Sequence, residues 1–100
     1  MAIVHLSIVP LGTASTSLSP YVTACIRDLR RHSAGLTFEL TAMGTIIEGD
    51  LDQILDAIRR MHEIPFQEGA QRVSTSIIID DRRDREGSIT QKVQSVESKI

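Results

Sequence analysis

The sequence predicts a single α+β domain in which two helices pack on one face of an antiparallel sheet. Strand-like and helix-like segments follow one another in the order β-α-β-β-α-β, and a further amphipathic segment comes after the last strand. This is the order of the ferredoxin-like sandwich, here with an extra C-terminal helix. Right-handed crossovers place both main helices on the same face. A length of 100 residues is near the commonest domain size, so residues 1–100 are expected to form one domain.

The first part of the chain is predicted to be a strand, a loop and a helix. Ile3–Pro10 has apolar residues on both faces, which is typical of a strand covered on both sides. A loop rich in Gly, Ser and Thr leads to Ser19 and Pro20, a pair that favours a helix start. The buried stripe of this helix is expected to be Val22, Cys25, Ile26 and Leu29. Basic residues in the last turn of this helix interact favourably with the helix dipole, and Gly35 is expected to end the helix.

A hairpin and a second helix are predicted in the middle of the chain. Leu36–Thr41 alternates apolar and polar residues, and Thr45–Glu48 is β-branched. Gly44 between them is expected to supply the positive φ of the turn. Asp50 is the expected cap of the second helix, with Gln53 three residues on as in a capping box.

The remaining segments complete the predicted order. The second helix has an expected stripe of Leu51, Ile54, Leu55, Ile58 and Met61. Pro65 is expected to stop this helix, and Arg72–Asp80 to form the last strand. Asp80–Arg85 alternates in charge, which indicates a solvated or intersubunit cluster of ion pairs. The C-terminal stripe is Ile89, Val93, Val96 and Ile100, and it either packs on its own subunit or pairs subunits.

Composition argues against several classes of function. The net charge of −2 and the scarcity of aromatic residues disfavour a nucleic-acid partner. Cys25 is the only cysteine, so a disulfide and a multi-cysteine metal site are not expected, and no cofactor is predicted. There is no signal-peptide pattern and no apolar run of about 20 residues, so we expect a cytoplasmic protein without a membrane partner.

No pattern of side chains demands catalysis. His5 lies in mid-strand, where a role as a base would need a placed partner, and it is expected to be satisfied across an interface. His32 and His62 end predicted helices and are expected on the surface. Cys25 is expected in the core. Polar residues cluster at positions 43–50, where they fit either a ligand site or ordinary turn and cap chemistry.

Alternation along the strands predicts one sheet face that the helices do not cover. This face is expected to carry His5, Ser7, Glu39, Thr41, Ser74 and Ser76 among Ile3, Val9 and Ile78. Because the face is too apolar to be fully hydrated, a second subunit is expected to cover it.

Six short motifs are distributed along the chain: Val9-Pro10-Leu11-Gly12, Ser19-Pro20-Tyr21-Val22, Met43 to Asp50, His62-Glu63, Gly69 to Val73, and Asp80 to Asp84 followed by Lys92-Val93. Together they resemble the motifs of the small thiamine-binding protein family, which is related to the YkoF-like binders of thiamine and hydroxymethylpyrimidine. They occur in the family's order and span essentially the whole chain. Position 42 holds Ala where the family often has Pro.

The resemblance implies non-catalytic binding of thiamine or its hydroxymethylpyrimidine moiety, in transport, salvage or homeostasis. It also implies a homodimer that assembles into a homotetramer. We expect the ligand at a subunit boundary, with the Glu48 carboxylate on the amino group or a protonated ring nitrogen. Hydroxyls of Ser7 and Thr45 would satisfy the remaining polar atoms, and Met43, next to Gly44, would cover the ring.

Two other classes of function stay open at the level of sequence. One is a small dimeric enzyme of the α+β-barrel kind, with a pocket between sheet and helices and His5 or Glu39 as the base. The other is an oligomeric regulatory module that binds a different small molecule.

Overall fold

The predicted α+β order is confirmed. The computed structural model describes residues 1–12, 19–32, 34–84 and 89–100. Its elements are β1 (Ala2–Leu11), α1 (Ser19–His32), β2 (Thr37–Thr41), β3 (Gly44–Gly49), α2 (Leu51–Gln67), β4 (Arg72–Asp81) and α3 (Ile89–Glu97). Most of the predicted Gly/Ser/Thr loop, and the end of the charged run at Arg85, lie outside the described residues.

The four strands form one antiparallel sheet in the order β2-β3-β1-β4. β1 is central and pairs with β3 from Ala2 to Leu6 and with β4 along its whole length. Each helical crossover therefore passes over one intervening strand, which is the ferredoxin-like arrangement. The sequence prediction of the fold class is confirmed.

The two faces of the sheet differ because successive side chains of a strand point to opposite sides. Ala2, Val4 and Leu6 are buried, whereas their neighbours Ile3 and His5 are only partly buried. The buried set packs with both main helices in one core, whose helical members are Cys25, Leu29, Ile54, Ala57, Ile58 and Met61. Val22 and Leu55, predicted on the buried stripes, are not fully buried but are 38% and 39% exposed.

The other face has no helix over it in the described part of the chain, and we call it the open face. His5 lies between Ile46 of β3 and Ile78 of β4, and the next row toward the β1 amino end places Ile3 between Glu48 and Asp80. The pairing confirms the predicted membership of this face, which is apolar at its centre and acidic at one end.

Helix α2 continues past Pro65 to Gln67, so the prediction that Pro65 stops it is wrong. Proline has no N–H, which leaves the carbonyl of Met61, four residues earlier, without its helical donor. The thiol of Cys25 on α1 donates to this carbonyl, with 3.6 Å between Sγ and O. A hydrogen bond between the two helices thus replaces the one that the proline removes.

The end of α2 is a Schellman turn. Ala70 N–H donates to the carbonyl of Pro65 over 2.9 Å, and Gly69 N–H donates to that of Phe66 over 3.1 Å. Gly69 has φ of 102°, a conformation that costs little only without a side chain. At the other end, the Asp50 carboxylate accepts from Gln53 N–H, which confirms the predicted cap.

Gly44 does not have positive φ, so the sequence explanation of this glycine is wrong. The structural reason is close approach: a Cβ here would lie 2.5 Å from the carbonyl oxygen of Leu6 and 2.9 Å from Nε2 of His5. The turn is held instead by Thr41, whose hydroxyl donates to the Gly44 carbonyl and accepts from Met43 N–H. Gly44 therefore sets the spacing between β3 and β1.

His62 is not simply a surface residue at a helix end, as the sequence suggested. Its Nδ1 lies 2.7 Å from Oγ1 of Thr75 on β4, and its ring packs edge-on against Phe66. The contact ties α2 to the outer strand of the sheet.

Three residues of the apolar stripe of helix α3 are exposed. Val93, Val96 and Ile100 are 49%, 61% and 97% exposed. An ion pair between Lys92 and Asp80 connects the helix to β4.

The molecule measures 45 × 30 × 19 Å with a radius of gyration of 14.7 Å, against about 13 Å for a compact domain of this length. In the charged run, Arg82 forms an ion pair with Asp84 and Arg83 with Asp81, within the subunit.

Replacing Cys25 should reveal the hydrogen bond to Met61. Cys25→Ala leaves a buried carbonyl without a donor and removes packing, so the free energy of unfolding should fall by about 1–3 kcal/mol. Cys25→Ser keeps a hydrogen-bond donor, so its free energy of unfolding should fall less. Urea denaturation of the three proteins checks this, and a serine variant as weak as the alanine variant would show that only packing matters.

The pH dependence of stability offers a second check on Cys25. Burial, and next the charge of Asp28, raise the pKa of this thiol from 9.0 to about 11. A raised pKa contributes stability that is complete below the unfolded value and is lost as pH rises through the folded one. Stability of the parent should fall between pH 9 and 11 relative to Cys25→Ser. Parallel pH curves would contradict the assignment.

Gly44→Ala should destabilise the sheet. The added methyl meets a backbone oxygen, which cannot move unless β1 moves, and overpacking of this kind costs about 1–3 kcal/mol. Ala42→Ser, at an exposed position of the same turn, is the matched control and should unfold at the parent's urea concentration. An unchanged midpoint for Gly44→Ala would mean that this glycine does not set the strand spacing.

Candidate functional site

A cavity of about 420 Å³ lies between α1 and one end of the sheet. Its walls are residues 6–9 of β1, one face of α1 from Tyr21 to Ile26, the hairpin residues 40–45 and Met61 of α2. Pocket volumes of about 300–1,000 Å³ are usual for small ligands. The site is therefore large enough for one small ring compound.

The cavity is apolar with a few hydroxyl groups. Among the described residues that line it, none carries a formal charge. Four of the lining residues bear hydroxyls, namely Ser7, Tyr21, Thr41 and Thr45. Such a surface suits a neutral ring that offers a small number of donors and acceptors.

Thr45 and Met43 occupy different depths of the site. Thr45 is 8% exposed and belongs to the helix-covered side of the sheet, beside Leu6. Met43 is 80% exposed at the tip of the hairpin. A long, polarizable side chain at the entrance can fold over a bound ring, because methionine has three rotatable bonds.

Cys25 forms part of the cavity wall but is not set up as a nucleophile. Its thiol is buried and donates to the Met61 carbonyl. Burial raises the pKa of the thiol to about 11, so the reactive thiolate is scarce near neutral pH. The residue shapes the cavity and joins its α1 and α2 walls.

Four of the five residues expected at the site line this cavity: Ser7, Met43, Gly44 and Thr45. Glu48 does not line it. It pairs with Ile3 and Thr37 and lies on the open face, about 10 Å along the strand from Thr45. The structure thus separates the expected carboxylate from the hydroxyl cluster.

Sequence reasoning missed the contribution of α1 to the site. Tyr21 of α1 and Leu40 of β2 line the cavity, and neither was predicted to be a site residue. Tyr21 is one of only three aromatic residues in the chain and lies at the start of a helix, which is the signal that was available.

The candidate bases of the alternative enzyme lie elsewhere. The ring of His5 packs beside Gly44 on the open face, and Glu39 belongs to the same row of that face. In the described ranges, no group of three His, Cys, Asp or Glu side chains is arranged to hold a metal ion. Over the same ranges, each helix is too short or too polar to cross a bilayer.

Comparison with known proteins gives the family. Residues 4–97 match the model of the thiamine-binding protein family. A UPF0045 protein of Methanothermobacter thermautotrophicus is 43% identical over the full length of both chains. The UPF0045 protein YqgV of Bacillus subtilis is 42% identical over 96% of this chain and 94% of its own.

Solved structures show the same fold. The hypothetical protein MJ1052 of Methanocaldococcus jannaschii superposes with a TM-score of 0.85 at 36% identity, over 96% of this chain and 95% of that one. A putative thiamine biosynthesis/salvage protein of Thermotoga maritima has a TM-score of 0.76 at 21% identity, over 95% and 97% of the two chains. At that identity the likeness concerns the fold alone. By sequence, this chain belongs to the thiamine-binding protein family.

Proposed function

We propose that the protein binds thiamine or its hydroxymethylpyrimidine moiety, without catalysis, in the cavity between α1 and the sheet. The observation that carries this proposal is the meeting of four expected ligand-binding residues at one uncharged cavity in a chain of the thiamine-binding family. A cytoplasmic role in thiamine transport, salvage or homeostasis fits this activity.

The chemistry of the cavity matches an aminopyrimidine. The flat ring packs against the apolar side chains of Val22, Ile26 and Leu40. Its ring nitrogens accept from hydroxyl groups, and its amino group donates to hydroxyl or carbonyl oxygens. Thr45 is placed to supply one such hydroxyl from the buried side.

The placement of reactive groups supports binding without turnover. The Cys25 thiol is neutral and hydrogen-bonded, and the His62 ring is paired with Thr75. A general base has to reach the atom it deprotonates, and neither His5 nor Glu39 lines the cavity.

We propose further that the open face pairs two protomers and that α3 pairs the dimers. The open face carries Ile3, Ile46 and Ile78 around His5. On α3, Val93, Val96 and Ile100 remain 49%, 61% and 97% exposed within the subunit. An isolated helix of this length is marginal in water, so a second apolar surface is needed to stabilise it.

Thr45→Val should weaken ligand binding. The change keeps the shape of the side chain and removes one hydroxyl, which costs about 0.5–1.5 kcal/mol for a neutral hydrogen bond. Titration calorimetry with thiamine and with hydroxymethylpyrimidine measures this. If the parent binds neither compound, the proposed function is wrong.

Glu48→Gln is the matched test of location. Glu48 does not line the cavity and lies about 10 Å along β3 from Thr45, so this variant should bind as the parent does. A loss of about 1.5–3 kcal/mol, the range for a charge-assisted hydrogen bond, would instead place the ligand at the subunit boundary expected from the sequence.

Truncation after Gly87 should convert a tetramer into a folded dimer, because it removes α3 and keeps the open face. Light scattering measures the mass of each form, and circular dichroism shows that the sheet is retained. A truncated protein that remains tetrameric, or a full-length protein that is monomeric, would contradict the assembly.

A further inference from the structure

A second groove adjoins the cavity on the outer side of α1. It has a volume of about 380 Å³ and is lined by Val22, Thr23, Ile26, Arg27, Arg30, Arg31 and Leu40. Three arginines therefore line one small groove in a chain whose net charge is −2. The proposed function does not use this cationic surface.

The groove and the cavity are continuous across one row of α1. Val22, Ile26 and Leu40 line both. Val22, Ile26 and Arg30 follow at intervals of four, so they form one row along the helix. Arg30 lies about 6 Å along the helix axis from Ile26. A ligand that packs on Ile26 can thus extend a short substituent toward the guanidinium groups.

The carboxylate of α1 does not neutralise this groove. Asp28 contacts Arg60 of α2, with 3.4 Å between Oδ2 and Nε, and lies 3.8 Å from Nε2 of His32. It is not among the lining residues of the groove. In the part of the chain that the structure describes, no carboxylate forms an ion pair with Arg27, Arg30 or Arg31.

We propose that the site takes the phosphate monoester of its ring ligand, with the ring in the cavity and the phosphoryl group on Arg27, Arg30 and Arg31. This inference rests on the proposed function, because it assumes that the ring occupies the cavity. It goes beyond that function by naming the phosphorylated form as the preferred ligand.

The charges of the cavity and of the groove favour the phosphate monoester. Guanidinium groups match phosphate oxygens in geometry and charge and remain protonated at all physiological pH values. The cavity offers no carboxylate to a cationic ring, and the adjoining arginines repel one. In a phosphorylated hydroxymethylpyrimidine, the uncharged ring suits the cavity and the phosphate suits the arginine groove. Unphosphorylated thiamine has a cationic ring and no phosphate, so it matches neither site in charge.

Two matched pairs of compounds test the inference by titration calorimetry: hydroxymethylpyrimidine with its monophosphate, and thiamine with its monophosphate. In each pair only the phosphoryl group differs. At low ionic strength each monophosphate should bind at least about tenfold more tightly than its parent, as expected for one charge-assisted hydrogen bond. The gain should shrink as salt is added, because the arginines are exposed.

A triple variant locates the phosphoryl group. Arg27→Gln, Arg30→Gln and Arg31→Gln together should abolish the gain and leave the Kd of unphosphorylated hydroxymethylpyrimidine unchanged. The control is Arg59→Gln, Arg82→Gln and Arg83→Gln, which changes the net charge equally at arginines outside the groove and should keep the gain. Circular dichroism confirms that both variants are folded.

The outcomes separate this inference from the proposed function. If the parent compounds bind and phosphorylation adds nothing, the phosphate site is wrong and the proposed function stands. If no compound of either pair binds, both are wrong. Inorganic phosphate or a single-stranded oligonucleotide that binds as tightly as the monoesters would show a general anion surface and overturn the inference.

Discussion

Alternation along the central strand β1 is the constraint on which the rest of the molecule depends. β1 pairs with β3 on one side and β4 on the other, so its pleat determines which side chains of three strands face the helices. Val4 and Leu6 point into the core, and His5 between them points to the open face. A register shift of one residue would exchange these two sets completely. The core, the open face and the position of the cavity follow from this one register.

Because of the same alternation, closeness in sequence does not mean closeness at the site. Thr45 and Glu48 are three residues apart, an odd number, so they lie on opposite faces of β3. A polar cluster read from residues 43–50 as a single site is thereby divided into a hydroxyl group at the cavity and a carboxylate on the open face. Hydrophobic periodicity was sufficient to predict the strands and the side chains on each face. The extent of the candidate site depends instead on how α1 packs against the sheet, which periodicity does not give.

The parts that sequence reasoning did not predict depend on partners distant in the chain. Pro65 is a helix breaker by local rules, yet α2 continues because the Cys25 thiol, on another helix, takes the carbonyl that the proline leaves open. Gly44 occupies a turn for a reason of packing against Leu6 rather than of backbone conformation. The rarity of aromatic residues could have drawn attention to Tyr21, but the α1 wall itself depends on a gap between two elements that do not pack closely. Local sequence patterns predict neither a hydrogen bond between distant segments nor a gap between two packed elements.

Charged side chains are distributed unequally between the two sides of the sheet. Glu39, Glu48 and Asp80 lie on the open face, whereas Arg27, Arg30 and Arg31 line the groove on the opposite side of the sheet. The proposed phosphate ester would therefore bind on the α1 side, where the arginines attract an anion. Ser7 and Thr41 belong to the open face by register and also line the cavity, so the cavity and the open face meet at the hairpin end of the sheet. In the proposed assembly, coupling between ligand binding and subunit pairing would pass through this end of β1 and β3, where Gly44 sets the strand spacing.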